Sequence, residues 1–180
     1  FKQYEVVILD IKRSYGLYKD HAEYYYETDT ILQKIRDIEN EMSERMEKLQ
    51  PELDKNPHVL AVDIGYRPKL VVIEEYISLL SSMDKKQKEE MERIVKNISV
   101  LARQSNIHML MVMQSAGTEN INSTTRSNMT KILMGRAQSN ILNATFGNSG
   151  VDIPTTQLNK GEGLIQLDRI TVIRVPEIMD

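Results

Sequence analysis

Three short apolar runs, each followed by polar side chains, constrain the fold of this 180-residue chain more than any other feature. They cover residues 4–10 (Tyr-Glu-Val-Val-Ile-Leu-Asp), 69–75 (Lys-Leu-Val-Val-Ile-Glu-Glu) and 107–113 (Ile-His-Met-Leu-Met-Val-Met). Short runs rich in β-branched and apolar residues predict buried strands. Because strands that are apolar on both faces are typical of parallel sheets, the runs favour an α/β fold.

Two amphipathic segments between these strands predict the helices that cover the sheet. Apolar residues recur at spacings of three and four over residues 28–49, with Thr28 or Asp29 as the expected N-cap and Pro51 as the expected end. A second such segment covers residues 84–104. The alternation predicts a mostly parallel sheet with helices on both faces, in a single domain over residues 1–180.

The remaining segments carry weaker patterns. We expect loops over residues 11–28 and 52–68, a short helix over 76–80, a strand over 130–134, a helix over 137–146, and a terminal hairpin of residues 164–167 and 170–175.

Composition excludes several classes of protein. The chain has 23 Lys and Arg against 26 Asp and Glu, a net charge of −3, which argues against a generally basic nucleic-acid coat but leaves a local basic groove possible. It has no Cys, so disulfides, thiolate metal sites and a Cys nucleophile are excluded. No apolar run approaches the ~18 residues that span a bilayer, and the expected location is the cytoplasm.

Candidate functional residues follow the predicted strands, where α/β sheets bind ligands. Glu74 and Glu75 end an apolar strand in the manner of a Walker B motif, in which the first acid faces Mg²⁺ or its water shell and the second polarises a water for attack on a γ-phosphate. Acids at this position also cap the next helix in ordinary α/β folds. Gln114 is either a γ-phosphate sensor or a loop hydrogen-bonding group, and Asp10 ends the first strand.

Other features point less clearly to one chemistry. The phosphate loop G-x-x-x-x-G-K-[ST] is absent, and Gly161-Glu162-Gly163 is expected to form a turn. Arg126, Lys131 and Arg136 are candidates for an arginine finger or for ordinary surface charge. The Tyr24-Tyr25-Tyr26 run fits either base stacking or packing.

Taken in order, six segments resemble the motor domain of the FtsK/SpoIIIE family of DNA-pumping ATPases, over almost the whole chain. The matching segments are Val7-Ile8-Leu9-Asp10-Ile11-Lys12, Glu41-Met42-Ser43-Glu44-Arg45, Leu70-Val71-Val72-Ile73-Glu74-Glu75-Tyr76, Leu101-Ala102-Arg103-Gln104-Ser105-Asn106-Ile107-His108, Met111-Val112-Met113-Gln114-Ser115-Ala116 and Leu158-Asn159-Lys160-Gly161-Glu162-Gly163-Leu164.

The resemblance implies a RecA-like P-loop NTPase fold that begins after the phosphate-binding loop. It implies Glu75 as catalytic base, Glu74 holding Mg²⁺ through water and Gln114 as sensor, with ATP and Mg²⁺ as cofactors of the full-length protein. The implied partners are double-stranded DNA and further copies of the chain in a hexameric ring. The isolated chain is expected to have negligible ATPase activity.

The departures from the family pattern indicate a mobile-element member. Ile11 replaces Pro, Glu74 replaces Asp, Ser115-Ala116 replace Arg-Pro, and Lys131 stands where an Arg is common. Such divergence favours a coupling protein of conjugation, with a relaxase or membrane and secretion components as partners, and a cytoplasmic domain of a membrane-anchored longer protein. The alternative is a degenerate, non-catalytic ATPase module used for assembly, as in secretion ATPases.

Overall fold

The structure is a computed structural model that describes residues 3–114, 121–147 and 158–175. The chain divides into two compact units, Phe1–Gln114 and Ser115–Asp180. The single domain expected over residues 1–180 stays a prediction. Within the described residues, no helix combines the length and the apolarity that crossing a membrane requires.

The first unit is built on a four-stranded parallel sheet, which confirms the α/β class. Its strands are β1 (Glu5–Asp10), β2 (Glu23–Tyr25), β3 (Lys69–Glu74) and β4 (Ile107–Met111), in the order β2-β1-β3-β4. In the β1–β3 register Asp10 pairs with Glu74. Since all four strands run the same way, their carboxyl ends share one edge of the sheet.

The helices of the first unit are α1 (Thr28–Leu53), α2 (Tyr76–Ser81) and α3 (Lys85–Leu101). The prediction that Pro51 ends α1 was wrong, because proline removes only one N–H donor and here does so in the last turn. The N-cap is Glu27, whose carbonyl accepts from Ile31 N at 2.9 Å, so Thr28 and Asp29 already lie inside the helix. Asp84 caps α3 as the sequence predicts, accepting from Gln87 N.

The core of this unit lies where the apolar periodicity predicts it. Val7, Leu9, Val71 and Ile73 are fully buried, and the register places all four on the same face of the sheet. The apolar stripes of α1 and α3 are also buried, and the two helices contact each other. Their buried apolar residues are Ile31, Leu32, Ile35, Ile38, Met42 and Leu49 of α1, and Met91, Ile94, Val95 and Ile98 of α3.

Two expectations in this unit need correction. Residues 11–28, predicted as a loop, contain a 3₁₀ turn at Gly16–Tyr18 and the edge strand β2. The strand predicted over residues 107–113 is shorter and is not buried throughout: it is an edge of the described sheet, with His108 and Leu110 exposed. A continuous apolar run did not distinguish a central strand from an edge strand.

The second unit contains a three-stranded antiparallel sheet, which the expectation of one mostly parallel sheet did not include. Its elements are α4 (Ser123–Ser127), β5 (Lys131–Met134), α5 (Ser139–Phe146), β6 (Glu162–Gln166) and β7 (Ile170–Arg174). The sheet order is β5-β6-β7, so the predicted hairpin is confirmed. Phe146, Leu158 and Leu164 form its buried core.

Candidate active site at the carboxyl edge of the parallel sheet

Asp10 organises the loop that follows β1. Its side chain is fully buried and accepts hydrogen bonds from Lys12 N at 3.1 Å, Tyr15 N at 2.8 Å and the Tyr24 hydroxyl at 2.9 Å. The two backbone donors come from the loop, and the third comes from the neighbouring strand β2. Asp10 therefore fixes the chain on one side of the carboxyl edge and has few lone pairs left for a ligand.

Glu74, the register partner of Asp10, is held very differently. Only 8% of the residue is exposed, and its Oε2 is a buried atom with no hydrogen-bond partner within the described part of the chain. Burial raises the pKa of this carboxyl, and the negative charges of Glu75 and Asp10 raise it further, while Lys12 opposes them. A buried carboxylate oxygen without a partner is costly unless a cation or a donor meets it.

Glu75 follows in a left-handed backbone conformation, with φ of 50° and ψ of 56°. It occupies the N-cap position of α2, but its side chain makes no capping hydrogen bond. Instead Oε2 lies 3.1 Å from Nζ of Lys12. The geometry therefore does not support helix capping, which was one of the two uses left open for this acid. A positive φ at a non-glycine residue is frequent at functional sites.

Gln114 lies in the same unit, three residues after β4 ends, and is exposed. The segment before it is tied to the Walker B-like strand, since Val112 N donates to Ile73 O at 2.9 Å and Tyr76 N donates to Val112 O at 3.1 Å. Gln114 thus follows the strand next to the one that carries the two acids, at the carboxyl edge of the sheet, and its role as a sensor stays a prediction. Ser115 and Ala116, which the resemblance singled out, lie outside the described residues.

The three candidates for an arginine finger lie in the second unit, and each has a local partner. Arg126 Nη2 donates to the Ala144 carbonyl at 2.6 Å near the end of α5, although its Nε is buried without a partner in the described structure. Lys131 Nζ lies 3.2 Å from Gln166 Oε1, and Arg136 Nε donates to the Leu158 carbonyl at 3.3 Å. These contacts stabilise the second unit, so each side chain would have to exchange a partner before acting elsewhere.

Three residues at the carboxyl edge were missed as site residues. Lys12 pairs with Glu75, Tyr24 bonds Asp10, and Tyr15 is close enough that the charge of Glu74 is the main cause of its raised pKa. Burial, followed by the bond to Asp10, raises the pKa of Tyr24 to about 12. A sequence signal existed only for Lys12, which follows the strand-ending Asp10 by two positions. For the Tyr run, the structure favours packing at Tyr24.

The donor set fits a water-mediated Mg²⁺ better than a directly caged one. No group of three His, Cys, Asp or Glu residues is arranged to hold a metal in the described ranges. Mg²⁺ usually keeps several waters and takes one or two carboxylates together with substrate phosphates. The unpartnered Oε2 of Glu74 is suited to bind a water of such an ion, with Asp10 already committed to its loop.

Comparison with known proteins identifies solved structures that share this fold. No protein-family profile matches the sequence, and no curated protein matches it significantly. Solved structures do match. The structure of the pCW3 conjugation coupling protein TcpA, monomer form with ATPγS, has a TM-score of 0.76 at 17% identity and covers 96% of this chain and 52% of its own.

Two secretion-system ATPases are also similar. EssC (ATPases 2 and 3) from Geobacillus thermodenitrificans has a TM-score of 0.72 at 17% identity, covering 94% of this chain and 32% of its own. EccC (ATPases 2 and 3) from Thermomonospora curvata, in complex with a signal sequence peptide, has a TM-score of 0.67 at 15% identity, covering 99% and 32%.

These likenesses confirm the predicted fold class. The chain shares its fold with the matched parts of these structures, and it spans about half of the TcpA chain and about a third of the EssC and EccC chains.

Proposed function

We propose that this chain forms the catalytic edge of an ATP-hydrolysing motor of the FtsK/SpoIIIE type. The observation that carries the proposal is the pair Glu74 and Glu75 at the carboxyl end of β3. Glu74 has a buried oxygen without a partner in the described part of the chain, and Glu75 is not used for capping. Two adjacent acids with these different environments match the two roles of a Walker B strand end. The P-loop ATPase fold supports the same assignment.

The roles divide by environment. Glu75, partly exposed and paired with a cation, is the general base that polarises the attacking water. Glu74 holds the water shell of Mg²⁺ through its buried oxygen. When bound, Mg²⁺ would neutralise charge that develops on the phosphates during hydrolysis. Gln114 senses the γ-phosphate. No G-x-x-x-x-G-K-[ST] loop occurs in the sequence.

We further propose that the motor uses ATP hydrolysis to move double-stranded DNA through a hexameric ring. The fold shared with a structure described as a conjugation coupling protein supports this, as does the ordered set of family motifs. A coupling role would bring a relaxase or membrane components as partners and place the chain in a cytoplasmic domain. If DNA is bound through phosphates, affinity should fall steeply with salt because counterions are released.

The test is ATP turnover by the full-length protein, compared with its Glu75→Gln variant. We expect the variant to lose about 100-fold or more in turnover, the scale of a general base, while its affinity for ATPγS changes little. Glu89→Gln is the matched control, since Glu89 is an exposed acid on α3, and it should hydrolyse ATP like the parent protein. Equal turnover in the parent and Glu75→Gln would refute the proposed role.

A second candidate is a non-catalytic module that keeps the motor fold for assembly. The longer Glu74 in place of the usual Asp favours it, as does the likeness to multi-ATPase secretion proteins. The same experiment separates the two, because an assembly module predicts no turnover in the parent protein and no effect of Glu75→Gln on the size of its complexes.

A further inference from the structure

Two separate sets of hydrogen bonds fix the backbone near Lys12 and near Glu75, so that the two side chains meet. Nζ of Lys12 lies 3.1 Å from Oε2 of Glu75, with 43% of the lysine side chain and 14% of the glutamate side chain exposed. The two residues come from different segments, Lys12 from the loop after β1 and Glu75 from the junction of β3 and α2. Their approach is thus a product of the tertiary fold.

The backbone on the lysine side is fixed by Asp10. Lys12 N donates to Asp10 Oδ1 at 3.1 Å, Arg13 N donates to the Asp10 carbonyl at 3.1 Å, and Tyr15 N donates to Oδ2 at 2.8 Å. Arg13 follows with a positive φ of 59°, which turns the chain immediately after Lys12. Lys12 therefore lies in an ordered turn that is hydrogen-bonded to the buried Asp10.

The backbone around Glu75 is fixed as well, but the Glu75 carboxylate does not cap helix α2. Glu75 sits at φ of 50°, and the next residue, Tyr76, is buried and donates to Val112 O. The Glu75 carboxylate lies beside Glu74 and repels it, because the charge of Glu75 is a cause of the raised pKa of Glu74. Without a cation, this repulsion would favour rotamers that carry the Glu75 carboxylate away from the edge.

We propose that Lys12 is a positioning residue that holds the Glu75 carboxylate at the carboxyl edge of the sheet, in the place from which it activates water. The proposal rests on the function proposed above for Glu75. Because the pair is partly exposed, it contributes little to stability, so its removal acts on the position of the base and leaves the fold intact. Support of this kind for a catalytic group typically changes activity by about 10- to 100-fold.

The pairing is tested first without nucleotide or metal. In the full-length protein, carboxylates are labelled with carbodiimide and glycine ethyl ester, and the labelling rate of Glu75 is read by peptide mass spectrometry. We expect Lys12→Met to raise that rate several-fold and Lys12→Arg to leave it near the parent value. Lys19→Met is the control, since Lys19 is an exposed lysine of the same loop. An unchanged rate in Lys12→Met would overturn the proposal.

Turnover then tests the functional consequence. Lys12→Met should lower kcat for ATP by about 10- to 100-fold with little change in nucleotide affinity, and Lys12→Arg should recover most of the loss because it keeps the charge. In a Glu75→Gln background, Lys12→Met should have no further effect, since the two residues act as a unit.

The outcomes separate the two proposals. A parent protein that does not hydrolyse ATP refutes the proposed function, and the positioning role falls with it, whatever the labelling shows. A parent that hydrolyses ATP and depends on Glu75, together with a fully active Lys12→Met variant, refutes the positioning role alone. An additive loss in the double variant would assign Lys12 a contact of its own with substrate and would likewise overturn positioning through Glu75.

Discussion

Asp10 and Glu74 are register partners at the ends of two neighbouring parallel strands, yet their carboxylates have opposite environments. Asp10 accepts three hydrogen bonds, whereas Glu74 has a buried oxygen without a partner among the residues that the structure describes. Neighbouring strand ends thus supply one acid that is satisfied within the fold and one that we propose for ligand binding. This asymmetry is the physical basis of the site.

The buried carboxyl of Glu74 makes stability depend on pH. Its pKa is raised above the usual 4.5, so the folded state binds the proton more tightly, and the stability that this one group contributes is complete below pH 4.5 and falls as pH rises through the higher folded pKa. Glu74→Gln should raise the free energy of unfolding at pH 8 by about 1 kcal/mol, because the buried charge is removed. At pH 4 the change should be smaller. Urea denaturation at both pH values measures the difference, and equal changes would contradict this account.

Tyr24 gives a second pH dependence, at the alkaline end. Its pKa is raised from 10.0 to about 12, so the stability that its hydroxyl contributes is complete below pH 10 and is lost between pH 10 and 12. Tyr24→Phe should cost about 1–2 kcal/mol at pH 7, the scale of one hydrogen bond to a carboxylate, and should flatten the alkaline loss. Tyr26→Phe, on an exposed neighbour, is the control. Spectroscopic titration that finds all eight tyrosines ionising together near pH 10 would refute the shift.

A buried ionic network holds the opposite edge of the sheet. Arg45, only 2% exposed, donates to the carbonyls of Arg67 and Ser105 at 2.9 Å and pairs with Glu41 at 2.6 Å. Lys69 also pairs with Glu41. The Glu-Met-x-x-Arg segment that resembles the family is thus explained by a structural role.

The network should be expensive to break. Arg45→Met should lower the free energy of unfolding by about 2–4 kcal/mol, because it removes the donor from two carbonyls and leaves Glu41 paired with Lys69 alone. Arg93→Met removes an exposed pair with Glu39 and should cost no more than about 1 kcal/mol. Chemical denaturation compares the two, and similar losses would show that the Arg45 network does not stabilise the fold as described.

Gly163 is required by close packing in the antiparallel sheet. A Cβ built there would lie 2.5 Å from the Leu133 carbonyl oxygen and 2.8 Å from Sδ of Met134. Gly163→Ala should therefore cost about 1–3 kcal/mol through overpacking. At Gly16, no atom of the described residues lies within 4 Å of the added Cβ, so Gly16→Ala should be neutral or slightly stabilising. Thermal unfolding measures both, and the same midpoint for both variants would rule out the clash.

The sequence predicted the parallel sheet well because its signal is local. Continuous apolar runs and two amphipathic stripes placed β1, β3, α1 and α3, and Asp84 with Gln87 marked the start of α3. The edge strand β2 was missed because its three residues pair only through the neighbouring strand β1. Strand β5 and the terminal hairpin were each anticipated, but their pairing in one antiparallel sheet was not, since about 30 residues, including α5, separate β5 from β6.

The site was predictable only in part, for the same reason. Glu74, Glu75 and Asp10 end strands, and strand ends can be read from the sequence. Lys12 and Glu75 are 63 positions apart in the sequence, so no local pattern predicts their contact. Oε2 of Glu74 is buried without a partner among the described residues because of how the surrounding fold packs, which the sequence does not reveal. The roles of Glu75, Gln114 and the candidates for an arginine finger stay predictions.

The proposed role of Glu75 as the catalytic base of a DNA-stimulated ATPase is tested by the rate of ATP turnover. ATP turnover is measured for the full-length protein with and without double-stranded DNA, beside its Glu75→Gln and Glu89→Gln variants. The account predicts that DNA stimulates turnover in the parent and in Glu89→Gln, and that Glu75→Gln loses about 100-fold or more while still binding nucleotide. Turnover that is absent from the parent, or that survives in Glu75→Gln, would contradict it.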